Sequence, residues 1–475
     1  MVKNNNYSSR YSGKNQSSRT KAKHTSSKAT PARQVALEVL GVVRKEQCYL
    51  EEAWGKVNSL RSLPPAEKAF ARLLATEVVA RRGCLDELID ASLRNPEDLE
   101  PSVRDALRIS FCEIFYLHKP AHVAVNEGVE LVKGFARKAS GLANYALHRA
   151  VEQKEDFCTD ETDLASVALK EGFPFWMAER LNCEFGFQQT VSFMQQSNKP
   201  APLFFVINEA KVSGPQILKQ LVERGLKIAP IAPREGLSAN LPCFVFAERK
   251  AVADELVSRL LSSGGFVISD QAAQMVASLA CPRIFPQHML EIGAGRGTKS
   301  ILLQNSALKR FGKQLPLETL DIDPGRTKER TKRLQQANIT EVSSYCQSAE
   351  NLQNLEPASY DSVFIDAPCS GVGTLRRHPD VRWRLTETDV SALGHLGLSM
   401  LQQAASLVKP NGVITYATCT VFSEENDQVI EAFLASEAGN GFMISESHFI
   451  DTLFNPPSRE PLPDAHYVCV LKKQC

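Results

Sequence analysis

Two of the twelve cysteines in this 475-residue chain stand apart by what surrounds them. Cys369 follows Asp366-Ala367-Pro368 and precedes Ser370, and Cys419 lies in Ala417-Thr418-Cys419-Thr420. Each closes a short apolar run with strand character, Ser362 to Ile365 and Val413 to Ala417. A cysteine is more often a small core side chain than a nucleophile, and Cys48, Cys84, Cys112 and Cys183 are read that way. A pair at neighbouring strand ends, one behind an aspartate, points instead to covalent chemistry. A thiol with a pKa of about 8.5 is only a few per cent thiolate at neutral pH, so the site must supply positive charge or a helix dipole. Lys299 is the candidate source.

One reaction that needs such a thiol is modification of cytosine at carbon 5. That carbon is too weak a nucleophile to attack a methylsulfonium directly. A thiolate adding to carbon 6 turns carbon 5 into an enamine-like nucleophile and splits one hard step into easier ones. A carboxyl group near the pyrimidine N3, Asp366 by position, can share a proton as charge develops there. A base must then remove the carbon 5 proton before the enzyme is released.

A nucleotide-type loop lies upstream. Gly293-Ala294-Gly295-Arg296-Gly297-Thr298-Lys299 follows the apolar run Met289 to Ile292 and opens a helical pattern. Glycines allow close backbone approach to a ligand at a helix N-terminus. Asp321 ends the next apolar run, Leu317 to Ile322, 24 residues after Gly297 (321 − 297), close to the spacing of about 20 at which an acid meets ribose hydroxyls. The loop alone fits a dinucleotide as well, but an NAD-dependent oxidoreductase leaves the cysteine pair without a purpose.

These residues require a scaffold. From about Gly264, strand-like runs alternate with helical patterns, which predicts an α/β doubly wound parallel sheet over 264–475. Doubly wound sheets bind ligands beyond the carboxyl ends of their strands, so both cysteines fall on the binding edge. A helix carrying Val390, Leu393, Leu396 and Leu401 precedes the last of these runs, capped by Thr386 and Asp389. Over 31–157 the pattern is all-helical: Pro31 suits a first turn, and Val35, Val39 and Val42, Ala36, Leu40 and Val43, and Val103, Leu107, Phe111, Ile114 and Phe115 recur at helical spacing. Residues 158–263 read as a small α/β subdomain, with a strand at Leu203 to Ile207 and a helix capped by Ser213, with Leu218 and Val222 on one face and Gly225 as its stop.

The first 30 residues hold no acid, and Lys3, Arg10, Lys14, Arg19, Lys21, Lys23 and Lys28 make them basic; they are too polar to fold alone. Such a tail can lie along phosphates or simply be solvated. The net charge of the whole chain is only +1. No apolar run reaches the ~18 residues of a membrane span, and no export signal is present, so a cytoplasmic protein with reduced thiols is expected. No metal-ligand spacing occurs, so no metal is expected, and nothing fixes an oligomeric state.

The runs Asp366 to Ser370, Arg376-Arg377-His378-Pro379-Asp380, Tyr416 to Thr420 and Glu424-Glu425-Asn426 resemble the RNA 5-methylcytosine methyltransferases. Lys119-Pro120-Ala121-His122 and Gly141-Leu142-Ala143-Asn144 are similar to NusB-type RNA-binding domains, a combination that resembles the bacterial RsmB/Sun enzymes of small-subunit (16S) ribosomal RNA. The resemblance implies a class I methyltransferase, Rossmann-like sheet and S-adenosyl-L-methionine as cofactor. It implies Cys419 as nucleophile, Cys369 as the residue that assists product release, and Asp366 and Asp321 as base and ribose contacts. Gly293 through Lys299 and Ser348 fall on the remaining cofactor positions, and Asp270 matches a further family acid. Arg376, Arg377 and Arg382 are expected to face RNA.

Three positions depart from the family pattern: the loop itself, which commonly reads Cys-Ala-Ala-Pro-Gly-Gly-Lys, Ser348 where an acid is usual, and Val206 where an arginine is usual. A tRNA enzyme, or a catalytically weakened ribosome-assembly protein that only binds RNA, are the alternatives to an rRNA enzyme.

Overall fold

The computed structural model of this chain describes residues 29–57, 62–154, 157, 162–231, 243–457 and 461–474. The basic tail therefore lies outside the described residues, except for Ala29 and Thr30.

The N-terminal region is helical, as its 3.6-residue periodicity predicts. Its longer helices are Pro31–Glu46, Pro65–Ala80, Pro101–Phe115, Ala121–Phe135 and Ser140–Gln153. Proline opens three of them, where its fixed φ and missing N–H cost nothing. The expected stripes face inward. Val35, Val39, Ala36 and Leu40 are buried with Val103, Leu107, Phe111, Ile114 and Phe115 in one core, and Val42 and Val43 pack at its margin. Each fully buried valine, leucine or phenylalanine adds about 1.5–3 kcal/mol.

Three helices, Leu164–Glu171, Phe175–Phe185 and Phe187–Ser197, lead into a four-stranded antiparallel sheet. Its strands are β1 (Leu203–Ile207), β2 (Ile228–Ile231), β3 (Cys243–Phe246) and β4 (Phe266–Ile268), in the order β2-β3-β1-β4. Cys183, expected in a core, is exposed at the end of the second helix. Ser213 precedes the helix Gly214–Glu223 but makes no side-chain cap. That helix buries Ile217 and Leu221 against the sheet and leaves Val222 61% exposed, so its inward stripe lies one residue before the expected one.

The C-terminal sheet has seven strands: β5 (Met289–Ile292), β6 (Leu317–Asp321), β7 (Ser343–Cys346), β8 (Tyr360–Asp366), β9 (Val408–Thr418), β10 (Phe442–Ile450) and β11 (His466–Lys473). Their order is β10-β11-β9-β8-β5-β6-β7. The five strands from β9 to β7 run parallel, and β11 and β10 pair antiparallel at one edge. All four residues of β5 are buried, which suits the middle of a sheet covered on both faces. The chain leaves β5 towards β6 and β7, then returns to place β8 on the other flank, so β5 and β8 form the switch point where such sheets bind ligands. Helix Glu387–Leu407 carries the capping box of Thr386 and Asp389. Among the described residues no helix is long and apolar enough to cross a membrane, and no cluster of metal-ligating side chains occurs.

Candidate active site

The parallel pairing of β8 with β9 aligns Ile365 with Tyr416 and Asp366 with Ala417. Both strands therefore end at one level, and the cysteines beyond them meet. Pro368 lacks an N–H and cannot extend the ladder, so the chain turns out after Ala367, whose N–H donates to the Ala417 carbonyl at 2.9 Å. The Cys369 and Cys419 sulfurs lie 3.4 Å apart, and the Cys419 N–H donates to the Cys369 sulfur at 3.2 Å. Both side chains are partly exposed. Gly373 is packed where no side chain fits: a Cβ there would lie 2.2 Å from the Ala465 carbonyl and 2.7 Å from that of Cys419. Its N–H donates to the Cys419 carbonyl at 3.0 Å, fixing the loop.

Charge distinguishes the two thiols. The hydrogen bond from Cys369 lowers the Cys419 pKa; burial opposes this, and the Lys299 ammonium lowers it further. Sharing with Cys419, and then burial, push Cys369 well above an ordinary thiol. Cys419 is thus the more acidic thiol of the pair and Cys369 the less acidic one. Lys299 donates to both oxygens of Asp366, at 2.8 and 2.7 Å. Burial opposes its charge, but Asp366 and Cys419 hold it above the usual lysine range. His466, at the start of β11, is driven down to about 4 by burial and by Lys299, so it is neutral at pH 7 and leaves Lys299 to supply the charge.

The glycine loop sits at the neighbouring strand end. Gly293 has φ 79°, and a Cβ there would lie 2.3 Å from the Asp366 carbonyl. Asp321 accepts from the Gly295 N–H at 2.8 Å and the Asp323 N–H at 2.9 Å, which leaves lone pairs on both oxygens for hydroxyl donors. Ile322, expected as the last residue of its strand, instead stands beyond it and is 68% exposed, an apolar surface beside that acid. The loop then opens helix Thr298–Phe311 at its positive end. A cradle of close backbone, a ribose-type acid and an exposed apolar neighbour fits a nucleoside with a short charged arm. The Arg296 side chain turns away to pair with Glu329 at 2.8 Å, so only its backbone remains in the loop. Ser348 follows β7 near Asp321, where its hydroxyl accepts from the Glu350 N–H at 3.2 Å.

Three parts of the chain match three family models, and the one over the cysteine-bearing sheet is that of the RsmB/F methyltransferases. The family described as 16S rRNA methyltransferase RsmB/F matches residues 285–453, the NusB family residues 30–152, and the RsmF/B ferredoxin-like domain residues 173–244. A relative from Bacillus subtilis (strain 168), a probable ribosomal RNA small subunit methyltransferase B, is 24% identical over 86% of this chain and 89% of its own. The ribosomal RNA small subunit methyltransferase B of Pasteurella multocida is 28% identical over 74% of this chain and 75% of its own. Among solved structures, PH0851 superposes with a TM-score of 0.69 at 19% identity, over 94% of this chain and 99% of that one. NSun6 from Pyrococcus horikoshii gives 0.52 at 15% identity, over 64% and 99%. The chain is thus an S-adenosylmethionine-dependent RNA methyltransferase on a class I sheet with a NusB-like helical region.

Three arginines expected at the RNA surface have other partners. Arg376 donates to Asp464 at 2.9 Å and to the Leu462 carbonyl, and its side chain is 3% exposed. Arg377 bridges Asp464 at 2.6 Å and Asp270 at 2.8 Å. Burial works against ionising Asp464, yet these two arginines hold it below the usual carboxylate range. Asp270 also caps helix Gln271–Ala280 through the Ala272 N–H, and burial and Asp464 push it up to about 6. Arg382 is fully buried at the junction with the helical region, where one nitrogen faces the carbonyls of Ala80, Glu171 and Gly172. Two buried acids and a ring of carbonyls at the junction claim these cations; the Arg376 and Arg382 side chains are shut away from solvent, while Arg377 keeps 24% of its side chain exposed.

Spacing also missed several supports. Arg330 reaches the Gly295 carbonyl at 3.2 Å from underneath the loop. Glu425 holds both cysteine loops. Glu291 of β5 is fully buried, and burial, against the opposing pull of the Ser300 hydroxyl, pushes it up to about 8.

Proposed function

We propose that this enzyme methylates carbon 5 of a cytosine in 16S ribosomal RNA through a covalent adduct on Cys419. The observation that carries the reading is the asymmetric sulfur pair, one thiol lowered and one raised, 3.4 Å apart at the strand end beside the glycine loop. The 16S substrate is supported by the names of the family and its relatives.

Gly293, Ala294, Gly295, Arg296, Gly297, Thr298 and Lys299, with Asp321, Ser348 and Asp366, are the residues proposed to surround S-adenosylmethionine; Arg296 contributes through its backbone. When bound, it supplies an electrophilic methyl group on a positively charged sulfur. The Cys419 thiolate adds to carbon 6 of the cytosine. Asp366, held by Lys299, shares a proton with N3 as the ring gathers charge. Carbon 5 takes the methyl group and then loses its proton to a base. The carbon 6–sulfur bond breaks as the ring regains aromaticity, and the thiol of Cys369, next to the departing sulfur, assists that release. The target base must be single-stranded or flipped for the sulfur to reach it.

The test is transfer of a tritiated methyl group to 16S rRNA, followed by nucleoside digestion. The reading predicts label in 5-methylcytidine and none after Cys419→Ala. Label in any other nucleoside, or an active Cys419→Ala enzyme, overturns it.

A further inference from the structure

Behind the sulfur pair lies a closed ring of oxygens. Ser370 follows Cys369 and Thr420 follows Cys419. Their hydroxyl oxygens are 2.6 Å apart. The Glu425 Oε2 lies 2.6 Å from Ser370 Oγ and 2.9 Å from Thr420 Oγ1. Its Oε1 accepts the Ser370 N–H at 2.6 Å. All three residues are buried, Glu425 at 1% exposure, and the Glu425 carbonyl is itself held by the Tyr416 hydroxyl at 2.9 Å.

Counting hydrogens assigns the charge. Three oxygen–oxygen contacts of hydrogen-bond length need three hydrogens, one per edge. The two hydroxyls bring two. With an ionised carboxylate, one edge would set lone pair against lone pair inside a buried site. A proton on Oε2 supplies the third, and each oxygen in the ring then donates once and accepts once.

We propose that Glu425 is a neutral carboxylic acid that clamps the Cys369 loop to the Cys419 loop, a positioning residue that sets the sulfur pair without placing a negative charge beside the thiolate. The groups that face it agree. Burial raises its pKa and outweighs the lowering by the hydrogen bonds from Ser370 and Thr420 and by Arg180. The cation nearest it, Arg180 of helix Phe175–Phe185, is engaged by Glu424. Tyr416, Cys369 and Cys419 complete the surroundings, and an ionised Glu425 would oppose charge on each of these. The catalytic consequence rests on the reading of Cys419 as nucleophile; the clamp itself does not.

Glutamine mimics the neutral acid: its carbonyl can accept the Ser370 N–H and its amide can donate to the hydroxyls. In the full-length enzyme, Glu425→Gln is expected to titrate its Cys419 thiolate (read by the pH dependence of iodoacetamide alkylation in Cys369-containing protein) as wild type does, and to keep kcat within about threefold. Glu425→Ala is expected to move that titration upward and to lower kcat by about 10–100-fold at unchanged KM for S-adenosylmethionine. Ser370→Ala with Thr420→Val reports the same shift should Glu425→Ala fail to fold. A folded Glu425→Gln that behaves like Glu425→Ala would show an ionised clamp and overturn the proposal. So would a wild-type titration in Glu425→Ala or, should that variant fail to fold, in the double variant. The titration needs no RNA, so an enzyme that proved to methylate another base would sink the cytosine reading and leave this result standing.

Discussion

The Cys369 sulfur sits 3.4 Å from the Cys419 sulfur and accepts the Cys419 backbone N–H. One short contact thus makes two chemically identical side chains unequal. Cys419 becomes the acid of the pair and Cys369 the donor that stabilises its thiolate, with Lys299 adding positive charge. A depressed pKa means that Cys419 should begin to react with iodoacetamide at lower pH than a free thiol does. Cys369→Ala removes the largest stabilising contact and should shift the Cys419 profile upward by more than Lys299→Met does. Mass spectrometry of the alkylated peptide reads both. A Cys419 profile identical to that of a free cysteine would contradict the assignment.

Arg382 offers a second test, because the expected and observed placements predict opposite results. An RNA-facing arginine could be removed with little effect on stability and a clear loss of RNA affinity. The buried Arg382 packs over the Phe173 ring at 4.1 Å and joins the catalytic sheet to the helical region. Arg382→Ala should therefore destabilise the protein by about 2–5 kcal/mol, seen in urea unfolding, and should speed proteolysis near residue 172. Unchanged unfolding together with weakened RNA binding would restore the surface reading.

Much of this was legible beforehand. The strand-end positions of Asp366, Cys369 and Cys419 followed from apolar runs and from the rule that sheet ligands sit beyond strand carboxyl ends. What was hidden depended on contacts between residues far apart in the chain. Arg376 and Arg377 look like RNA-facing arginines until Asp270 and Asp464 arrive, 107 and 87 residues from Arg377. Val222 and Ile217 are equally apolar, and only the sheet's position decides which turns inward. Glu291 looks like a lone polar residue in the apolar run before the glycine loop, and burial changes its chemistry.

That burial has a consequence for stability. Glu291 is raised from 4.5 to about 8 in the folded state. Below pH ~4.5 the group is protonated whether folded or unfolded and has no effect. As pH rises towards 8 the unfolded chain ionises it while the folded chain cannot, so stability falls, by on the order of a few kcal/mol across that window. Glu291→Gln should remove this slope. The Tm of the variant without cofactor should gain on wild type steadily between pH 5 and 8. Parallel Tm curves for the two proteins would show that the carboxyl ionises freely in the fold.

The central claim is that Cys419 bonds to the RNA and that Cys369 is needed to break the bond. Denaturing gel electrophoresis of Cys369→Ala after incubation with S-adenosylmethionine and 16S rRNA measures this directly. The account predicts a slow-migrating protein–RNA band that depends on the cofactor, with the peptide carrying Cys419 cross-linked, and no band for Cys369→Ala combined with Cys419→Ala. A band that survives in the double variant, or methyl transfer by an enzyme lacking Cys419, would contradict it.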